Sequence, residues 1–426
     1  MIIEIYDLES LTNLFTYTGY DSKKNEYYQF CICKWRNDSE QLYEHLTKRK
    51  IIQVGFNNEN YDYPLEHHFL NHFDEYKFLP GEVVAQKLYQ KSQEIIDMEF
   101  SAIADKNKYI SQIDLFKIWH FDNKARRTSL KDLEICMRMH NVEEMPIHHT
   151  TWCKPGDEIC VLDYNKNDVY ATYLFLKTTL GKTEYPLYKG KDKIKLRQDL
   201  ANKFNVNVMN MGDVPMGAEL MLNLYAREAN RNPYELKRSG GTPRPEGINL
   251  KDCIPYWCNI KSKEFTNFLN EIKNTKIQGI KGEFSFSVNF HDYILDFGLG
   301  GTHACCKSGV YESNKDWMIL DLDVSSLYPS VAKSLKLYPE HLGPEFMRMY
   351  EQFIEKRIAE KHKPKSERDN VLIEGYKLVL NGEIKSLYLK IFIKDFILNM
   401  NKTPFLKAIS KMKRTKTVKS GMMIPC

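Results

Sequence analysis

Ile2-Ile3-Glu4-Ile5-Tyr6-Asp7-Leu8-Glu9 opens the chain as a strand whose end carries two carboxylates. Side chains alternate faces along a strand, so Asp7 and Glu9 share one face. Alone the pair says little, because a solvated strand end explains an Asp-x-Glu equally well. Its meaning comes from two further motifs downstream. Ile51-Ile52-Gln53-Val54-Gly55-Phe56 reads as a buried strand running into the turn Asn58-Glu59-Asn60-Tyr61-Asp62. Asp62 adds a third carboxylate and Asn58 an amide donor, although Asn and Asp also dominate turns for local hydrogen-bonding reasons. Ser129 is placed to cap a helix reaching to about Met139, with Asp132 at the third position. From Asp163 to Leu180 the pattern is helical, with Tyr164, Asp168, Ala171 and Phe175 on one side. Tyr164 and Asp168 stand four residues apart and therefore share a helix face.

Taken in order, Asp-x-Glu, Asn-x-x-x-Asp and Tyr-x-x-x-Asp resemble the three motifs of the DnaQ-like 3′–5′ exonucleases, the proofreading domain of family B DNA polymerases. The resemblance covers about residues 1–180 and implies an α/β, ribonuclease H-like fold for them. It implies that Asp7, Glu9, Asp62 and Asp168 hold two divalent ions, Mg²⁺ or Mn²⁺. These hard cations prefer carboxylate oxygen and keep water ligands. It also implies that Tyr164 orients the attacking water, that Asn58 contacts the 3′-terminal nucleotide, and that Ser129 and Leu130 touch the single strand. A helix cap followed by a core leucine explains Ser129-Leu130 equally well. Phe56, Tyr61 and Phe116 are aromatics available for stacking, and burial in the core is the expected role of each.

A second resemblance lies further on. Asp323-Val-Ser-Ser-Leu-Tyr-Pro-Ser330 fits motif A of family B polymerases at every fixed position. By that resemblance Asp323 binds the catalytic metals, and Ser326, Leu327 and Tyr328 meet the incoming nucleotide. Lys377-Leu-Val-Leu-Asn381 is similar to the start of motif B. Arg357 and Lys361 resemble the fingers cations that hold a triphosphate, a task that suits Arg and Lys. A solvated basic helix face explains those two as well. Gly300-Gly301 is similar to the junction between exonuclease and polymerase modules. From there to Cys426 the sequence holds no Asp-Thr-Asp carboxylate motif. The expectation is therefore an exonuclease joined to an incomplete palm and fingers region that does not polymerise alone.

Composition sets the frame. The chain has 426 residues, enough for two or three domains, with 42% hydrophobic and 27% charged residues. The expected division is an exonuclease domain over 1–180, an intervening region over 181–297 and a partial polymerase over 298–382. A basic tail over 383–426 lies outside the family pattern. That tail holds ten Lys/Arg against two Asp/Glu, whereas the remainder holds 51 against 54, so the net charge of +5 reflects its last 44 residues. Read-through, a frameshift, the end of a split gene and a DNA-binding tail all remain open for it.

None of the ten cysteines forms a CxxC pair, which leaves zinc weakly supported. No apolar run approaches a spanning helix, and the N-terminus does not read as a secretory signal. A cytoplasmic setting is expected, in a host cell if the source is viral. The expected partners are DNA, as a single-stranded 3′ end or a primer–template, and dNTP if the polymerase site is completed. A complementing polymerase chain or a terminal protein would fit the same picture. The alternative is a non-catalytic DNA-binding piece or one subunit of a split polymerase.

Overall fold

The computed structural model describes residues 2–98, 101–123, 128–182, 190–238, 248–253, 263–277, 285–290, 293–298, 301–316, 318–319, 329–330, 332–333, 336, 338, 342–391 and 420–421. Two compact units divide the chain, Met1–Pro215 and Met216–Cys426. The architecture is mixed α/β.

A mixed five-stranded sheet centres the first unit. Its strands are β1 (Ile2–Leu11), β2 (Leu14–Asp21), β3 (Glu26–Ile32), β4 (Ile51–Gly55) and β5 (Ser111–Asp114), in the order β3-β2-β1-β4-β5. β1, β2 and β3 form an antiparallel meander, and β4 and β5 run parallel to β1. Helices cover both faces, as parallel pairing requires. The even residues Tyr6 and Leu8 of β1 enter a core with Tyr63, Leu65 and Phe69 of α2 (Asp62–Tyr76) and Val84 and Leu88 of α3 (Gly81–Asp97). On the other face, the odd residue Ile5 packs with Val169, Phe175 and Leu176 of the last long helix, Asp157–Thr179.

β1 runs past the expected strand end at Asp7–Glu9, continuing to Leu11 and turning through Thr12-Asn13 into β2. The fully buried Asn13 pins this hairpin. Its amide donates to the Cys153 carbonyl at 3.0 Å, and its Oδ1 accepts the Cys153 N–H at 2.7 Å. β4 is shorter. It pairs with β1 only from Ile2 to Ile5 and ends at Gly55. Beyond Ile5, β1 continues paired with β2 and no longer with β4, and Asp7 and Glu9 lie in this stretch.

Residues after Gly181 also belong to the first unit. The helix Lys193–Phe204 carries Arg197, which is fully buried and donates to the carbonyls of Ile118 and Met211 at 3.1 and 2.8 Å. Asn210 lies along β5, accepting the Asp114 N–H at 2.9 Å and donating to the Gln112 carbonyl at 2.9 Å. An edge strand exposes unpaired peptide groups, and this segment covers them.

In the second unit, Ser285–Phe290, Tyr293–Gly298 and Gly301–Cys306 form an antiparallel meander. Gly301 pairs with Gly298 across the last two strands of this meander. Phe268, on the helix Lys263–Lys273, packs on Phe297 at 4.3 Å. The helices Pro344–His362 and Asn370–Ile391 form an antiparallel pair through Phe353 on Tyr376 at 5.1 Å. The Tyr350 hydroxyl also donates to the Leu380 carbonyl at 3.0 Å. Asp323, Ser326, Leu327, Tyr328 and Gly300 lie outside the described residues. No described helix is long and apolar enough to cross a membrane.

Candidate metal centre

Asp7 and Glu9 project from β1 toward the helix Asp157–Thr179, where Asp168 meets them. One ligand oxygen from each of the three carboxylates lies within 4.8 Å of the others, and no other such cluster occurs among the described residues. Period two on the strand supplies two members and the helix supplies the third. Unit charges about 4 Å apart repel by roughly 4 kcal/mol at an effective dielectric of about 20. The arrangement therefore demands a counter-charge.

Asp62 sits at the first position of α2, where the helix dipole favours an anion. The backbone N–H groups of Asp62 itself and of Leu8, a β1 amide beyond the last residue paired with β4, favour its ionised form. Asp62 is not in the tight cluster of three, yet its charge acts on both Asp7 and Glu9.

Every carboxylate here is hard to ionise. Burial, followed by the charges of Asp62, Glu9 and Asp168, raises Asp7 well above the ordinary range. Burial, with Asp168 and Asp62, does the same to Glu9. Burial lifts Asp62 to about 7, with Asp114 adding to the effect. Asp168 is also raised, by burial, although Lys131 works against the shift. Such a group of partly buried, mutually repelling oxygens suits a hard divalent cation.

Tyr164 feels the negative charges of Asp168, Glu9 and Asp7, and burial together with that charge pushes its pKa far up. Three neighbours were not visible as site residues in the sequence. Lys131 Nζ lies 2.7 Å from Asp168 Oδ1, 3.2 Å from Glu134 Oε1 and 4.7 Å from the Tyr164 ring centroid. Glu134 is fully buried, and its Oε2 has no hydrogen-bond partner. Asn165 donates to Asp7 Oδ2 at 2.6 Å. For Asn165 a signal was present, since it lies inside the Tyr164–Asp168 motif three residues before Asp168.

Other expected residues sit elsewhere. Asn58 does not face an open cleft. It is fully buried and donates to Gln112 Oε1 at 2.8 Å, while its Oδ1 has no hydrogen-bond partner. A Cβ on Gly55 would stand 2.6 Å from the Asn58 Cβ, so the glycine admits this inward turn. Gln112 also accepts from Tyr6 at 3.0 Å and donates to Gln53 at 2.6 Å, and Gln53 donates to Glu66 at 2.6 Å. The Ser129 hydroxyl is used in a capping box with Asp132, and Leu130 begins the short helix Leu130–Cys136. Phe56 and Phe116 pack edge to face at 5.2 Å, and Tyr61 packs against the core of the α2–α3 face.

In the second unit, Arg357 Nε donates to the Ile373 carbonyl at 3.4 Å, and burial lowers its pKa. Lys377 lies 3.5 Å from Glu374. Lys361 is exposed on the helix Pro344–His362, and Asn381 is exposed on the helix Asn370–Ile391. Compared with known proteins, the chain matches no family model and no curated protein.

Proposed function

We propose that the first unit is a ribonuclease H-like, metal-dependent 3′–5′ exonuclease acting on single-stranded DNA ends, and that the chain is of family B polymerase type. One observation carries this reading: Asp7 and Glu9 on β1 and Asp168 on the helix Asp157–Thr179 converge within 4.8 Å, with the charge of Asp62 acting on Asp7 and Glu9. A bound pair of Mg²⁺ or Mn²⁺ ions would supply an activated water and stabilise the departing 3′-oxygen. Asp7, Glu9 and Asp168 would hold the ions directly, with Asp62 completing the set. Asn165 fixes the rotamer of Asp7. The hydroxyl of Tyr164, four residues before Asp168, would orient the water. Lys131 neutralises Asp168 and keeps positive charge beside the cluster, where the phosphodiester would lie. The polymerase assignment of Asp323, Ser326, Leu327, Tyr328, Lys377 and Asn381 rests on their motifs in the sequence.

The test is release of mononucleotides from single-stranded DNA by the purified chain in Mg²⁺. Activity is expected with the wild type and not with Asp7→Ala, each verified as folded by circular dichroism. Wild-type protein that binds DNA without cutting it would favour the non-catalytic alternative.

A further inference from the structure

On the far side of the residues that build the metal cluster, the helix Leu130–Cys136 ends against the helix Asp157–Thr179 and leaves a cavity of about 430 Å³. Asn167, Tyr170, Leu174, Lys177 and Thr178 line one wall, at steps of three and four residues along one helix face. The loop from Met137 to Asn141 lines the other. Arg138 and Lys177 bring cationic nitrogen, and no Asp or Glu is among the lining residues. The nearest acid on the loop, Glu143, accepts a hydrogen bond from Asn141.

Two further features lie beside this cavity. The Nδ2 of Asn167, on the same helix, is buried and has no hydrogen-bond partner. The loop geometry is also unusual. The Arg138 N–H donates to the Ile135 carbonyl and the Met139 N–H to the Glu134 carbonyl, both at 3.0 Å, a Schellman ending. Arg138 occupies its left-handed position at φ 54, where glycine is the ordinary residue. An arginine at such a position is strained, yet its exposed guanidinium makes no ion pair among the described residues. Strain of this kind gathers at binding sites. The Tyr170 ring, 45% exposed, supplies a flat apolar wall beside the methionines.

We propose that this cavity binds a nucleoside monophosphate, with the phosphate toward Arg138 and Lys177 and the base against Tyr170. The ligand could be a free nucleotide or one unit of a single strand, and the two share this chemistry. The site is independent of the metal centre.

Calorimetric titration of the full chain with deoxyadenosine monophosphate, in a chelator, isolates it, because the chelator removes the metal through which the carboxylate cluster would bind phosphate. Saturable binding is expected, weakened about tenfold in Arg138→Gly by loss of a charge-assisted contact. A similar loss is expected in Tyr170→Ala through lost stacking. Arg138→Gly should melt no lower than the wild type, since glycine suits the left-handed position, so misfolding cannot explain its weaker binding. A single-stranded hexathymidylate that competes with the nucleotide would assign the site to a strand, and one that does not would assign it to free nucleotide. Equal affinity of wild type and Arg138→Gly, or no saturable binding by the wild type, would overturn the proposal.

Discussion

At the scale of single residues, the metal cluster is governed by two side chains that are not themselves carboxylates. Asn165 holds Asp7 at 2.6 Å, and Lys131 holds Asp168 at 2.7 Å. Asn165 acts as an orienting neighbour, and loss of such partners typically weakens metal binding about 10- to 100-fold. Asn165→Ala should therefore weaken Mn²⁺ binding by about that factor in calorimetric titration. Lys131 is a resident cation that a bound metal must displace from Asp168, and the buried Glu134 3.2 Å away offers it a second partner. Lys131→Met should tighten Mn²⁺ binding, and weaker binding would show that the lysine supports the metal instead of competing with it. The carboxylates were legible because each sits in a short motif with fixed spacing. Lys131 was not, because its proximity to Asp168 depends on how two helices pack, and no local period reports that. Asn58 was misplaced for a related reason: a polar turn residue reads as solvent-facing, while the glycine at 55 and the buried Gln112 draw it inward.

Individual elements show where local pattern is sufficient. The capping box at Ser129 and Asp132 forms as read, but the helix ends at Cys136, short of Met139, because Arg138 takes the left-handed conformation. A charged residue in that position carries no sequence signal of the kind glycine gives. The long helix starts at Asp157, ahead of the expected Asp163, with Asp157 and Glu158 in its first turn. β1 overran its expected end because its hairpin with β2 is closed from outside, by Asn13 bonding to Cys153. That contact joins residues 140 apart in sequence. Asn13→Ala removes both bonds and leaves buried Cys153 peptide groups unmet, which should cost about 1–3 kcal/mol by chemical denaturation. A change within experimental error would mean that water or a shifted turn replaces the asparagine.

For the whole molecule, the expected domain boundary after residue 180 falls within the first unit, which extends to Pro215. Arg197 and Asn210 join the later segment to Ile118 and β5. A chain of residues 1–215 should accordingly unfold cooperatively with near-native stability, and one of residues 1–180 should melt lower or aggregate through the bared β5 edge. Equal melting of the two would contradict this division. The buried acids also set a pH dependence for the first unit. Folding raises Asp62 from 3.8 to about 7 and Glu66 from 4.5 to about 8, in each case through burial first. An acid raised in the folded state favours folding below its unfolded value and loses that contribution as pH climbs through the folded one. Metal-free protein should therefore be most stable near pH 4 on account of these groups and lose stability progressively up to about pH 8. Glu66→Gln, distant in role from the metal, should flatten the upper part of that profile in thermal melts.

The most direct test of the account is a time course with a 5′-labelled single-stranded oligonucleotide in Mg²⁺, comparing wild type with Asp168→Ala. The predicted result is a ladder shortening stepwise from the 3′ end with the wild type and intact substrate with the variant. Intact substrate with both, or the same ladder with both, would contradict the assignment of the β1–Asp168 carboxylate cluster as a nuclease centre.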